Sequence, residues 1–399
     1  MNNILNQNLV LKGKKVLLRV DLNVPIKNGA ITETSRIKKV IPTIKLLIEK
    51  QAKIIILSHI GRPKGKVTKE MSLEPISKKL ASLLNKEVLF NKNLINENTL
   101  SEVNKIPNGS IIMLENIRFN EGEESNDNEF SKKISNLGDI YINDAFSVSH
   151  RSHASVEGIT KYIPSYFGLQ ITEEINALKK ITSEIKKPVT LIIGGSKIST
   201  KIKIINNLIK KFNNIIIVGG MANTMLKHTG LKVGKSLCEH NYGNLIKEIL
   251  ENSNKYKCKI TCPVDVVVSK NVEDMGKDKD IKEIDDDEMI LDIGPKTISS
   301  IKKIINDSNT VLWNGPAGYF ENLNFQNGTK QILEIISQKT KNDKIFSVAG
   351  GGETVAAINK FKKLDSFTFV STAGGAFIEY LEGKTLPGIK ALNQNARIK

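Results

Sequence analysis

Short runs of β-branched residues alternate with amphipathic stretches along this chain. Runs at 15–20, 53–57, 111–114, 140–143, 189–193, 214–218, 264–268, 310–313, 344–348 and 367–371 predict strands. Several are apolar throughout, as strands covered on both faces must be. Amphipathic spacing predicts helices between them at 33–50, 73–84, 128–136, 173–186, 200–212, 242–252, 297–306, 328–337 and 354–361. Alternation of this kind builds an α/β fold in which parallel sheets carry helices on both faces. The rhythm breaks between Lys161 and Glu173, where Ile163-Pro164-Ser165 and Gly168 interrupt it, and restarts with a long Glu/Lys-rich helix expected to link two lobes. With 399 residues the chain has room for two cores, so the expected division is 1–165 and 173–385. The acidic run Asp285-Asp286-Asp287-Glu288 reads as a solvated turn before a strand at 289–293.

Composition narrows the class. A hydrophobic content of 40% is that of an ordinary globular enzyme. Residues 1–8 are uncharged, unlike a secretory leader, and no apolar run reaches the ~18 residues of a membrane span. The expectation is a cytoplasmic protein without membrane contact. Cys238, Cys258 and Cys262 are too few and too unevenly placed for a disulfide framework. No second Cys or His pair accompanies Cys258 and Cys262, so they read as buried structural thiols and not as a zinc site. The net charge of +17 raises the question of nucleic acid. The excess is spread over helical surfaces, for example at Lys38, Lys39, Lys45 and Lys50, without a basic block interleaved with aromatics or a nucleic-acid-binding motif. Solvated faces and small anionic substrates account for it, and no nucleic acid is expected.

In doubly wound sheets ligands sit outside the carboxyl ends of strands, so the residues just after each run carry most chemical weight. Three such junctions in the second half are glycine-rich: Gly194-Gly195-Ser196-Lys197, Ala349-Gly350-Gly351-Gly352-Glu353-Thr354 and Ser371-Thr372-Ala373-Gly374-Gly375. Glycine lets backbone N–H groups approach an anion, and each following helix presents its positive end. Gly219-Gly220-Met221-Ala222-Asn223 is equally bare, and the rigid segment Trp313 to Glu321 ends in a carboxylate suited to ribose hydroxyls. The order is not that of a Walker A loop. Lys197 and Lys201, four apart, are expected on one helix face, where charge on a moving phosphoryl group would be stabilised. The first half instead sets Arg36, His59, Arg62, Arg118, Arg151 and His153 beside turns, a set that suits a small, multiply charged anion. Asp21 and Asn23 either address a polyol-like hydroxyl or form an Asx pair that turns the chain into Pro25. His150 and His153 lack a third ligand at metal-binding spacing.

Taken in order, these segments resemble the phosphoglycerate kinase family from Val16 to about Ile389. The carriers are RVDLNVP at 19–25, SHIGRPKG at 58–65, LENIRF at 114–119, NDAFSVSHRSHAS at 143–155, GGSKISTKI at 194–202, GGMANT at 219–224, WNGPAGYFE at 313–321, AGGGET at 349–354 and STAGGAFIEYLEG at 371–383. The resemblance implies two Rossmann-like lobes, each a parallel sheet flanked by helices, closing about a hinge helix, with the segment 386–399 returning to the first lobe. It implies an N-terminal domain that holds 3-phosphoglycerate or 1,3-bisphosphoglycerate through Asp21, Leu22, Asn23, Arg36, His59, Ile60, Gly61, Arg62, Arg118 and Arg151. The C-terminal domain would hold ATP or ADP with Mg²⁺ through Lys197, Lys201, Gly219, Gly220, Asn314, Glu321, Gly350, Gly351, Gly352, Glu353 and Thr354. Glu353 stands toward the metal at a position where the family often has aspartate. Arg36, Lys197, Lys201, Gly374 and Gly375 are the catalytic residues so implied, in a monomeric protein.

The residue chemistry suits that reaction. A substrate carboxylate is ionised at neutral pH, so accepting the γ-phosphoryl of ATP needs no general base, and the sequence offers no convincing one. Positioning and charge neutralisation carry the catalysis, and lobe closure would keep water from an acyl phosphate. A dinucleotide enzyme would need G-x-G-x-x-G with an acidic residue ~20 positions on, which is not present. A basic nucleic-acid binder would show a salt slope on generic DNA and no phosphoryl transfer.

Overall fold

The computed structural model describes residues 3–4, 9–27, 30–342 and 344–395. Part of the opening octapeptide and the last four residues of the segment 386–399 therefore lie outside the described residues. The chain forms two compact units, Met1–Asn176 with Thr385–Lys399, and Ala177–Lys384.

Unit 1 rests on a parallel sheet of β1 (Lys15–Arg19), β2 (Lys53–Leu57), β3 (Leu89–Asn91), β4 (Ile111–Leu114), β5 (Ile140–Asn143) and β6 (Ser165–Phe167), in the order β3-β4-β2-β1-β5-β6. Arg19 pairs in register with Leu57 and Asn143, so β1, β2 and β5 end at one level. Strand order reverses across β1, which makes the loops after β1, β2 and β5 the natural ligand crevice. The edge strands β3 and β6 were not expected from the sequence; at three residues each they are too short to show a period. Helix α1 (Ser35–Glu49) buries Ile37, Val40, Ile44 and Leu47 against Val16, Leu18, Ile54 and Ile56. The spacing of three and four places these side chains on one stripe. Each buried aliphatic side chain of this kind contributes on the order of 2 kcal/mol.

The linking helix is displaced from expectation. α2 spans Leu169–Thr182 and not 173–186. Its start is set from outside, since Asp144 Oδ1 accepts the Ile171 N–H at 3.1 Å and so supplies a partner to the first turn. Its end is set by Ser183 and Glu184 N–H groups folding back on Lys179 O, ahead of Pro188, which disfavours helical backbone at Lys187.

Unit 2 rests on β7 (Val189–Ile193), β8 (Asn214–Ile217), β9 (Lys259–Thr261), β13 (Thr310–Asn314), β14 (Phe346–Gly350) and β15 (Phe369–Ser371), parallel in the order β9-β8-β7-β13-β14-β15. A separate antiparallel sheet holds β10 (Asp265–Ser269), β11 (Lys277–Asp280) and β12 (Met289–Ile293) in the order β11-β10-β12. The run at 264–268 thus lies outside the parallel sheet, where its apolar character had placed it. Asp265 explains the departure: its carboxylate accepts the Lys296 and Thr297 N–H groups and caps the helix Pro295–Asn306. The acidic turn is only partly solvated. Lys279 Nζ lies 2.7 Å from Asp285 and 2.9 Å from Glu288, and Glu288 is buried. Trp313 anchors the core of unit 2, stacked on Phe367 at 6.0 Å.

Of the two thiols expected to be buried, Cys258 is buried and Cys262 only half-buried, and burial pushes both up to about 12. Among the described residues no helix is long and apolar enough to cross a membrane.

Candidate active site

In unit 1 the segments that follow β1, β2, β4 and β5 are tied to one another. Arg36 NH1, on the first turn of α1, lies 3.1 Å from Asp21 Oδ2 and donates to Asn23 O at 2.8 Å. Asp21 also accepts the Asn23 N–H and the Ser147 hydroxyl, so its carboxylate serves protein donors and steers Arg36. Asn23 Oδ1 accepts the Gly61 N–H at 3.2 Å, pinning the turn that carries His59 and Arg62. Leu22 N–H donates to Ser58 Oγ, and Asn116 Nδ2 donates to Ile60 O. Leu22, Ile60 and Gly61 thus enter through their backbone. Arg118 is buried and donates to Gly61 O at 2.7 Å. Burial, then the charge of Arg19, pushes it down to about 10, which leaves it a cation at neutral pH. Arg151 is half-buried and close enough to bear on Arg118, while Arg62 is exposed on the His59 loop. His59 is held well below the ordinary imidazole range by burial first, then by Arg19, Arg118, His153 and Arg36, so its ring is neutral. His153 is paired with Glu123 at 3.7 Å and not with His150.

In unit 2 two adjoining cavities open past the carboxyl ends of β7 and β13, sharing Gly195, Ser196 and Glu353. The first, of about 230 Å³, is walled by Gly219 and Gly220 at the head of α4 (Gly220–His228), by Leu237, Val266 and Leu291, and by the segment Pro316 to Glu321. Apolar walls with a carboxylate at Glu321 suit a nucleoside. The second, of about 200 Å³, is walled by Lys201, Asn314, Gly351, Gly352, Thr354 and Gly374 and suits phosphates. Glycine is required at 351: φ is +97°, and a Cβ there would stand 2.5 Å from Asn314 Nδ2. Lys201 Nζ donates to Asn314 Oδ1, Asn314 Nδ2 donates to Gly350 O at 2.7 Å, and Thr354 Oγ1 accepts the Gly315 N–H at 2.7 Å. Burial holds the Lys201 ammonium below its ordinary range, opposed by Glu353. Asp292, in the wall of the first cavity, is pushed up to about 7 by burial against the Gly328 and Ile293 N–H groups.

The two lysines are not arranged as the sequence suggested. Lys197 is exposed in extended backbone, a 3₁₀ turn occupies Ile198–Thr200, and the helix α3 begins only at Ile202 (Ile202–Leu208). Spacing of four therefore places Lys197 and Lys201 on no common helix face. The Ser199 N–H and hydroxyl both donate to the Glu239 carboxylate, at 2.9 and 2.6 Å, which holds this loop out of helix. Gly375 opens the short helix Gly375–Leu381 and, unlike Gly374, does not line the second cavity. Among the described residues no group of three or more His, Cys, Asp or Glu side chains could hold a metal. A lone carboxylate, Glu353, fits a Mg²⁺ that arrives on nucleotide phosphates and keeps most of its water.

Arg19, Ser58, Asn116, Glu123, Ser155 and Asp292 support these sites and were missed from sequence. Arg19, Ser58, Asn116 and Ser155 lie within the motifs that carry the resemblance without having been given a role there, and Arg19 also stands out as a charged residue closing the otherwise apolar tail of β1.

The sequence profile of phosphoglycerate kinase matches residues 6–384. A phosphoglycerate kinase of Chelativorans sp. (strain BNC1) is 46% identical over 384 residues, covering 96% of each chain. That of Rhizobium meliloti (strain 1021) is 46% identical over 387 residues, covering 96% of this chain and 97% of its own. The solved phosphoglycerate kinase of Coxiella burnetii superposes with a TM-score of 0.91 at 39% identity, covering 98% of both chains. That of Pyrococcus horikoshii OT3 gives 0.84 at 28% identity over the whole of both. With profile, relatives and fold agreeing across nearly its whole length, the chain belongs to the phosphoglycerate kinase family.

Proposed function

We propose that this phosphoglycerate kinase divides its reaction between a domain 1–165, completed by 386–399, that holds the acceptor, and a domain 173–385 that holds the nucleotide. The reaction is the ATP-generating step of glycolysis: reversible phosphoryl transfer between ATP and 3-phosphoglycerate, giving ADP and 1,3-bisphosphoglycerate. An oxygen of the acceptor carboxylate bonds to the γ-phosphorus as the bond to the β,γ-bridging oxygen breaks, in line and without an enzyme-bound intermediate.

The observation that carries the division is the pair of cavities sharing Glu353, one apolar and one lined by glycine backbone with Lys201. The nucleoside occupies the first, with Gly219, Gly220 and Glu321, and the phosphates the second, with Lys201, Asn314, Gly350 to Gly352, Thr354 and Gly374. Lys197 and Gly375 act from the rim. Mg²⁺, when bound through Glu353, neutralises phosphate charge. On the acceptor side, Arg36, Arg62, Arg118 and Arg151 neutralise carboxylate and phosphate, His59 donates a hydrogen bond, and Asp21 and Asn23 hold Arg36 and the 58–65 turn in place. The protein acts as a cytoplasmic monomer with no nucleic-acid or membrane partner.

Arg36→Ala tests the division. Turnover is expected to fall far more than nucleotide affinity, because Arg36 faces the acceptor and the charge that develops in transfer. Calorimetric titration of ADP into the variant decides it: a large loss of ADP affinity contradicts the assignment.

A further inference from the structure

Unit 1 contains a buried charged chain that the reaction as described does not use. Arg19, at the end of β1, is fully buried. Its Nε donates to Ser155 Oγ at 3.0 Å, NH1 donates to Val20 O at 2.6 Å, and NH2 lies 3.3 Å from His59 Nδ1. Ser155 passes the contact on, its hydroxyl donating to Glu123 Oε1 at 2.6 Å and its N–H to Oε2 at 2.9 Å. Glu123 and Ser155 are as buried as Arg19, and the Tyr141 hydroxyl holds Ser155 O at 2.7 Å. A buried guanidinium persists only when paired and hydrogen-bonded, and Glu123 supplies the counter-charge through the serine.

The chain has a consequence for His59. A guanidinium has donors only, so the ring atom facing it must be an acceptor. Nδ1 is then unprotonated, and in a neutral ring the one proton sits on Nε2. Among the described residues no group is bonded to Nε2. The surroundings favour the neutral ring, since the charged or titratable groups that bear on it are Arg19, Arg118, His153 and Arg36, which oppose a further positive charge.

We propose that Arg19 is a positioning residue of the acceptor site: held by Ser155 and Glu123, it fixes His59 as the Nε2–H tautomer and so makes its outward nitrogen a donor to the acceptor. This rests on the reading that His59 belongs to the acceptor site. Without the relay a neutral imidazole could turn Nε2 into an acceptor, which repels an anion. The Arg19 charge acts from within the core, through a ring, and not by touching substrate.

The wild-type protein supplies the first test. In ¹⁵N-histidine-labelled full-length chain, long-range proton–nitrogen correlation near neutral pH should show His59 with Nδ1 bare and Nε2 protonated, the His59→Gln spectrum providing the assignment. Saturation with 3-phosphoglycerate should shift the Nε2–H resonance. Arg19→Lys and Ser155→Ala should each raise the acceptor KM roughly three- to tenfold, the size of one lost or misaligned hydrogen bond, and introduce the other tautomer while ADP affinity stays unchanged. An Nδ1–H ring or an imidazolium in the wild type overturns the relay, whatever the acceptor does. A bare Nδ1 with an Nε2–H that ignores 3-phosphoglycerate overturns instead the placement of His59 at the acceptor. Should Arg19→Lys not fold, Ser155→Ala keeps the guanidinium and carries the kinetic test; an unchanged KM and tautomer there overturn the proposal.

Discussion

Single side chains in this protein do work that their neighbours select. Lys201 is held by Asn314 and half-buried beside Glu353, whereas Lys197 stands exposed in extended chain. Lys201→Ala should therefore lower kcat by roughly 10² or more, as expected when a preorganised donor to the moving phosphoryl is removed, with Lys197 unable to substitute. Near wild-type turnover in steady-state assays would rule out that role. Glu353→Gln should raise the Mg²⁺ concentration needed for half-maximal rate and leave 3-phosphoglycerate binding intact. An unchanged Mg²⁺ dependence would make Glu353 a helix-capping residue only. Residues at strand ends were legible because glycine and arginine advertise themselves in sequence. Their supports were not, since Ser58, Asn116 and Ser155 are ordinary polar residues until tertiary contacts give them partners.

Elements were legible where an apolar run was long enough to carry a period, and misplaced where an outside residue fixed their ends. β3 and β6 show the first limit, α2 the second. Asp144, which caps α2 and also takes the Thr43 hydroxyl, is pushed up to about 6 by burial, opposed by those hydrogen bonds. Its unfolded value is 3.8, so between about pH 4 and 6 the folded chain binds the extra proton. The associated stability is present below that window and lost as pH rises through it, by about 3 kcal/mol in full. Asn can keep both contacts without titrating. The difference in urea midpoint between Asp144→Asn and wild type should accordingly shift in favour of the variant from pH about 4.5 to about 7. Parallel pH dependence in the two proteins would remove Asp144 from this account.

At the level of the whole molecule, motif order across both halves announced two α/β units, and the resemblance implied that the segment 386–399, which carries the C-terminal helix Pro387–Asn395, returns to the first; the antiparallel β10–β12 sheet was not foreseen, although its strands pair within one short stretch of chain. That helix buries Leu392, donates Gly388 N–H to Ser149 O at 2.9 Å, and places Asn395 between Ser165 N and Thr160 O at 2.9 and 2.8 Å. Ending the chain after Lys384 should cost unit 1 roughly 5 kcal/mol or more, the sum of buried aliphatics and freed polar groups. Trp313, the single tryptophan, lies in unit 2, so its emission should keep its urea midpoint while circular dichroism gains an earlier transition. A single coincident transition would show that the C-terminal helix does not stabilise unit 1 separately. The same topology orders events at the ribosome. Unit 2 is continuous and can complete its core once Lys384 has emerged, but unit 1, though translated first, lacks a piece of its own surface until the segment that begins at Thr385 is free. The unit made first is thus the one finished last, and the nascent chain waits with Val156 and the Ser149 carbonyl uncovered until Gly388 and its helix have emerged.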